Sequence, residues 1–264
     1  MTPPADARPL ESPQSDPESG FLAGRTILVA GGSGNVGRHI VTALLEANAR
    51  VVVPTRSPEK LEKIRRMHGQ EAEGPIAILG DIADEEDGAR ILDEVLSEGA
   101  TLDGAVASLG AFVPTRSILS ASRADLSRAV EGYLMAHHGA ARHLIPLLRE
   151  SAGSYTMIQG PLAFEIWSAE ASLVSVATAA QAMLARAIMK EEAAVDGPPR
   201  VRVNEVVLHS AVGWGDADKR SPLEPIDIGR YVAHLASPSA TEIHGRTIHL
   251  ESPDQVRELA SLRD

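Results

Sequence analysis

The chain has no cysteine among its 264 residues. That excludes disulfides, thiolate nucleophiles and cysteine-bound metal, and it fits a reducing compartment. Positive charge is scarce: 25 Lys and Arg stand against 36 Asp and Glu, a formal net charge of −11. Nucleic acid is therefore not expected as a partner, because neutralising phosphates takes clustered basic residues. No apolar run approaches the ~20 residues that cross a bilayer. No basic segment followed by an apolar one opens the chain, as a secretory signal would. The expectation is a soluble cytoplasmic protein with no membrane partner.

What is present is 44% hydrophobic, enough for one large core. Residues 1–20 are rich in Pro, Ser and acids and poor in large apolar side chains. Such a segment cannot offset its ordering entropy, so a disordered tail is expected there, with residues 21–264 forming a single domain.

The most informative stretch is Ile27-Leu28-Val29-Ala30-Gly31-Gly32-Ser33-Gly34-Asn35-Val36-Gly37. It reads as an apolar strand, a glycine turn and the start of a helix. Glycines at every third position serve a sharp reversal, close approach of backbone to an anion, and tight packing of helix on strand. The positive end of the helix dipole then favours a pyrophosphate over the turn.

From Arg25 onward, strand and helix patterns alternate. Strands are expected at 26–30, 50–54, 75–79, 103–107, 154–158, 201–207 and 246–250. Helices are expected near 36–47, 58–67, 84–97, 123–149, 171–194 and 227–236. Most of the strands are short continuous apolar runs, as when helices cover both faces. The fold class is α/β, a doubly wound parallel seven-stranded sheet with helices on both faces.

This succession resembles the short-chain dehydrogenase/reductase family over roughly residues 24 to 251. The spacing of Gly31, Gly34 and Gly37 is similar to the Gly-x-x-Gly-x-x-Gly of its extended and atypical members, whereas the main branch has Thr-Gly-x-x-x-Gly-x-Gly, with Asn35 at the middle glycine's place. Asn tolerates positive φ better than most residues, so the turn is expected to survive. Gly80-Asp81-Ile82 resembles the family's Asp-Val, which implies that Asp81 accepts a hydrogen bond from an adenine amine. Val201-Arg202-Val203-Asn204, Pro225-Ile226-Asp227-Ile228-Gly229 with Leu235-Ala236-Ser237, and His244-Gly245-Arg246-Thr247 resemble further family signatures. The resemblance implies a Rossmann-type NAD(P)-binding domain, with Gly31, Ser33, Gly34, Asn35, Val36, Gly37, Arg56, Ser57, Asp81 and Ile82 at the cofactor. It also implies a homodimer or homotetramer built through the helices at 123–149 and 171–194.

Cofactor choice turns on the end of the second strand, Val53-Pro54-Thr55-Arg56-Ser57. An acid there would bond the ribose diol and repel a 2′-phosphate. Thr55 holds that place, and Arg56 beside it carries a guanidinium that grips phosphate, so NADP(H) is expected over NAD(H).

Family members that move hydride use a tyrosine as proton donor, with a lysine four residues later to lower its pKa from near ~10. A serine and an asparagine complete the set. Aligned through Leu184-Ala185-Arg186-Ala187-Ile188-Met189-Lys190-Glu191, the resemblance puts Val174 at the tyrosine and Thr178 at the lysine. Gly160 falls at the serine and Tyr133 at the asparagine. The three tyrosines are 133, 155 and 231, and four residues beyond them stand His137, Gln159 and Leu235, so no shifted register supplies the motif.

Substitutes should lie beyond the carboxyl ends of the strands, where Ser108, Gln159, Glu165, Trp167, His209 and Ser210 fall. Gln159 is read as a donor to a carbonyl or, more simply, as a cap on a backbone group. His209 titrates in the useful range or is a plain surface histidine. Glu165 is a lid carboxylate or a base desolvated by Phe164, Ile166 and Trp167. Tyr133 and His137, one helical turn apart, form either an acid/base pair or interface packing. His137, His138 and His143 lack metal-ligand spacing, so no metal is expected. Three functions follow as expectations: an NADP(H)-binding protein without the ordinary tetrad, acting as a cofactor-responsive binding or regulatory protein; an NADPH-dependent oxidoreductase with Tyr133 or His209 as proton donor; or a cofactor-independent isomerase or cyclase reusing the cleft.

Overall fold

The computed structural model describes residues 20–68, 74–193, 197–210, 212–213 and 221–261. The expected tail therefore lies outside the described residues, Gly20 excepted. Seven strands form the sheet: β1 (Thr26–Ala30), β2 (Arg50–Thr55), β3 (Ile76–Leu79), β4 (Gly104–Ala107), β5 (Ser154–Gln159), β6 (Arg202–Leu208) and β7 (Thr247–Leu250). All pairs are parallel, in the order β3-β2-β1-β4-β5-β6-β7. Each expected strand is present to within a residue at either end.

Alternation along each strand divides the core into two layers. Ile27 and Val29 of β1 face one side, with Ile40 and Leu44 of α1 (Gly37–Glu46) and Ile228, Val232 and Leu235 of α7 (Pro225–Ala236). Leu28 and Ala30 face the other, with Ile91 of α3 (Glu85–Val95), Leu144 and Leu148 of α5 (Ala136–Glu150), and Ala185 and Met189 of α6 (Ser172–Glu192). Burying each such branched side chain contributes roughly 1.5–3 kcal/mol, which is why short apolar runs fix the sheet. The helix α2 (Pro58–His68) packs beside β2 and β3. A further helix, α8 (Pro253–Ser261), follows β7 and was not expected; Val256 and Leu259 anchor it to the core.

The long helix expected at 123–149 is a composite. The helix α4 (Arg123–Val130) runs into a π-helical turn at Glu131–Met135 and then α5. Helix α4 packs into a small third cluster with Val113, Ala129, Leu173 and Ala177. The stretch Ala169–Glu192 corrects one expectation: its mean hydropathy of 1.4 over a membrane-spanning length makes it apolar and long enough to cross a bilayer. Over half of that window is buried inside the fold, so its apolarity serves the core, where its alanines admit close packing.

Candidate functional site

Strand order reverses between β1 and β4, and the crevice at such a reversal is where an open α/β sheet receives ligands. A cleft of about 1010 Å³ opens there. Its floor is the turn between β1 and α1. Gly31 sits at φ +82°, and a Cβ on it would overlap the Ser108 carbonyl oxygen. A Cβ on Gly37 would overlap the Gly31 carbonyl oxygen, so both glycines are required by close backbone approach. Asn35 corrects the reasoning applied to it: among the described non-glycine residues only Asn48 and Ala152 have positive φ. The exposed Asn35 side chain instead fills the space beside Gly213, where a Cβ would overlap it. Ser33 and Gly34 line the cleft, whereas Val36 packs against the α1–α7 core. The N-cap residue of α1, Val36, supplies no side-chain cap and no acid lies in the first turn, so the positive end of the helix follows directly on the cleft-lining turn of Gly31, Ser33 and Gly34.

The second wall is the ends of β2 and β3. Arg56 reaches Asp81 with a 3.3 Å ion pair and is 80% exposed. Asp81 is fixed at its other oxygen, which accepts from Ala83 N at 2.9 Å, and its own N–H donates to Asp87 Oδ2 at 3.0 Å. Ser57 Oγ accepts from Lys60 N at 3.2 Å, and both residues line the cleft. Ile82 is buried in the α3–α5 core with one surface toward the cleft. The structure thus brings Gly31, Ser33, Gly34, Arg56, Ser57, Asp81 and Ile82 around one cavity.

The third wall is the segment after β4, which also takes up Tyr133 and His137. The half-buried Tyr133 ring rests on Gly110, where a Cβ would overlap it, and burial pushes its phenol up to about 12. His137 is fully buried on α5; its Nε2 lies 3.2 Å from the Leu109 carbonyl oxygen. Desolvation lowers its pKa to about 4, so at neutral pH the ring is uncharged and Nε2–H donates to that carbonyl. Its Nδ1 has no partner among the described residues. Both side chains therefore hold the backbone after β4. No hydrogen bond joins them among the described residues, because a buried imidazole must find an acceptor and the Leu109 carbonyl is the one presented.

Gln159 behaves as neither expectation had it. Its amide nitrogen donates to the carboxylate of Glu205, a residue of β6 that is wholly buried. Thr247 Oγ1 donates to the other oxygen of that carboxylate at 2.8 Å. Burial raises the Glu205 pKa, opposed by these bonds and by the Arg186 charge. Glu205 was not among the residues expected at the site; its signal was an acid within Val203-Asn204-Glu205-Val206-Val207, a strand with both faces covered. Glu165 is exposed and accepts from Trp167 Nε1 at 3.0 Å, so no apolar pocket encloses it. Val174 and Thr178 are buried on α6, and the Thr178 hydroxyl donates to the Val174 carbonyl at 2.7 Å. Ser108 lines the cleft, and Ser210 has its hydroxyl buried. His209, half-buried just past β6, places Nε2 2.8 Å from His249 Nδ1.

A seven-stranded doubly wound sheet with a glycine turn at its reversal defines a Rossmann-type nucleotide-binding fold. The chain belongs to the short-chain dehydrogenase/reductase family: residues 29–211 match the family's enoyl-(acyl carrier protein) reductase model. It is 26% identical over 248 residues to an uncharacterized oxidoreductase of Mycobacterium tuberculosis, covering 87% of this chain and 92% of that one. It is 30% identical over 132 residues to L-fucose dehydrogenase of Mus musculus, a match to 50% of this chain and 47% of the relative. The fold is shared with a short-chain dehydrogenase/reductase from Brucella melitensis, described as a glucose/ribitol dehydrogenase, at TM-score 0.74 and 22% identity, over 88% of this chain and 97% of that one.

Proposed function

We propose that the chain binds NADP(H) in this cleft without the family's ordinary hydride-transfer residues, as a cofactor-responsive binding or regulatory protein. The observation that carries the reading is the joining of the glycine turn, Arg56 and Asp81 around one cavity. The turn and the uncapped start of α1 would hold the diphosphate, Asp81 the adenine, and Arg56 with Ser57 the 2′-phosphate. When bound, the nicotinamide supplies a hydride donor or acceptor. Against ordinary use of it stand Val174 and Thr178, buried and without a titratable group, where the resemblance requires tyrosine and lysine. We extend the proposal to self-association through α6, which exposes Val176 and Met183.

A second reading, an NADPH-dependent oxidoreductase with a substituted proton donor, is favoured by relatives named as an oxidoreductase and as dehydrogenases. His209 is its better candidate, since burial holds the Tyr133 phenol far from neutral titration. NADPH titration followed by a panel of carbonyl, imine and enone substrates separates the two. Absence of binding at millimolar NADPH ends the proposal. Turnover that disappears in His209→Gln or Tyr133→Phe establishes the second reading in its place.

A further inference from the structure

Beyond the cleft, the carboxyl ends of β6 and β7 gather three ligand-type side chains on one face of the sheet. The strands pair with Val207 opposite His249 and Leu208 opposite Leu250, and His209 N donates to the Leu250 carbonyl at 3.1 Å. Continuing that register sets His209 opposite Glu251. The period of two along a strand then turns His249 and Glu251 to the side on which His209 stands. The result is a compact triangle: His209 Nε2 is 2.8 Å from His249 Nδ1 and 3.8 Å from Glu251 Oε1, and one ligand atom from each residue lies within 4.8 Å of the others.

We propose that His209, His249 and Glu251 form a binding site for a divalent first-row transition metal of the Zn²⁺ type. Two imidazoles and one carboxylate are the donor set such ions take, with one coordination position left to solvent. In a tetrahedron with bonds of about 2.0–2.1 Å the ligand atoms stand about 3.3 Å apart. The two nitrogens must open slightly and the carboxylate must close, both rotamer adjustments of half-exposed or exposed side chains. Facing imidazole nitrogens at 2.8 Å share a single proton, and a cation between them uses both lone pairs.

The backbone that carries the triangle is held before any ion arrives. Gln255 of α8 accepts from Glu251 N at 2.8 Å and donates to the His249 carbonyl at 2.8 Å, clamping the ligands at and just past the end of β7. The Phe164 ring backs the His249 ring, centroid to centroid 5.2 Å. This site does not depend on the proposed cofactor; it shares His209 with the second reading, so its test reads metal binding and not turnover.

The experiment uses the full-length, tag-free protein stripped with chelator and dialysed. Calorimetric titration with Zn²⁺ should give one site per chain, and Co²⁺ should give visible ligand-field absorption. Binding should fall at least roughly tenfold in His209→Gln and in His249→Gln, and in Glu251→Gln as well. Circular dichroism of each variant shows whether the fold is kept. No saturable Zn²⁺ binding to the wild type overturns the site, as does binding retained by the folded His209→Gln/His249→Gln double variant. Unchanged affinity in folded Glu251→Gln overturns the three-ligand assignment.

Discussion

The Arg56 guanidinium and the Asp81 carboxylate are ion-paired at 3.3 Å across the rim of the cleft. Arg56 is mostly exposed, so the pair itself contributes little to stability. Under the proposed NADP(H) binding its effect is on position: the cation stands at the end of β2, where a phosphate on an adenine ribose would arrive. Arg56→Ala is expected to weaken NADPH binding roughly tenfold, about 1.4 kcal/mol, and NADH binding much less. Paired titrations of both nucleotides measure that difference, and equal losses would remove Arg56 from 2′-phosphate recognition.

Gly31→Ala should be costly to both fold and site. The backbone at φ +82° disfavours any Cβ by roughly 1–2 kcal/mol, and the Ser108 carbonyl oxygen occupies the space it needs. Urea unfolding should show a loss of about 2 kcal/mol or more, with NADPH binding abolished in whatever protein stays folded. Gly34→Ala, at a position without positive φ, should be milder on stability.

His137 makes stability depend on pH. Its folded pKa of about 4 lies below the ordinary 6.5, so the unfolded chain binds more protons between the two. Its full contribution is present above about pH 6.5 and is lost as pH falls toward 4, by up to roughly 3 kcal/mol. Urea midpoints measured from pH 7.5 to 5 should fall in the wild type and fall less in His137→Gln. That variant keeps a donor within reach of the Leu109 carbonyl.

Glu205 has the opposite sign. Its folded pKa is raised, so the folded state holds the proton more tightly and stability declines as pH rises through the folded value. Glu205→Gln should match or exceed wild-type stability at pH 8, since the amide oxygen still accepts from Gln159 or Thr247. Glu205→Ala leaves the buried Gln159 amide and the half-buried Thr247 hydroxyl without this acceptor and should cost about 2–4 kcal/mol. Thermal or urea unfolding of the two variants side by side tests the contrast.

The sheet was legible because its strands are covered on both faces, and a run such as Ile27-Leu28-Val29-Ala30 has few other places to go. The helix α8 was not: its apolar residues do fall on one face, but so short and charged a segment offers few of them. The turn between β1 and α1 was legible in its glycines, although Asn35 keeps its place for a reason other than φ: its side chain meets Gly213, more than 170 residues away in sequence. Distance in sequence hid the chemistry elsewhere too. Gln159 and Glu205 meet only because β5 and β6 are neighbours, and His209 and His249 only through the pairing of β6 with β7. Spacing along a helix put Tyr133 and His137 together, but could not show that the segment after β4 would claim both.

The π-helical turn at Glu131–Met135 closes its hydrogen bonds one residue further on than an α-helical turn does, so it carries a surplus residue. One residue is about 100° of rotation, and the surplus therefore sets α4 and α5 out of phase along a single rod. Ala129 can thus face Leu173 and Ala177 while Ala140, Leu144 and Leu148 face the sheet, two cores served by one uninterrupted helix. Deleting a single residue from this turn would bring the two halves into phase and force one of those cores to give up its contacts.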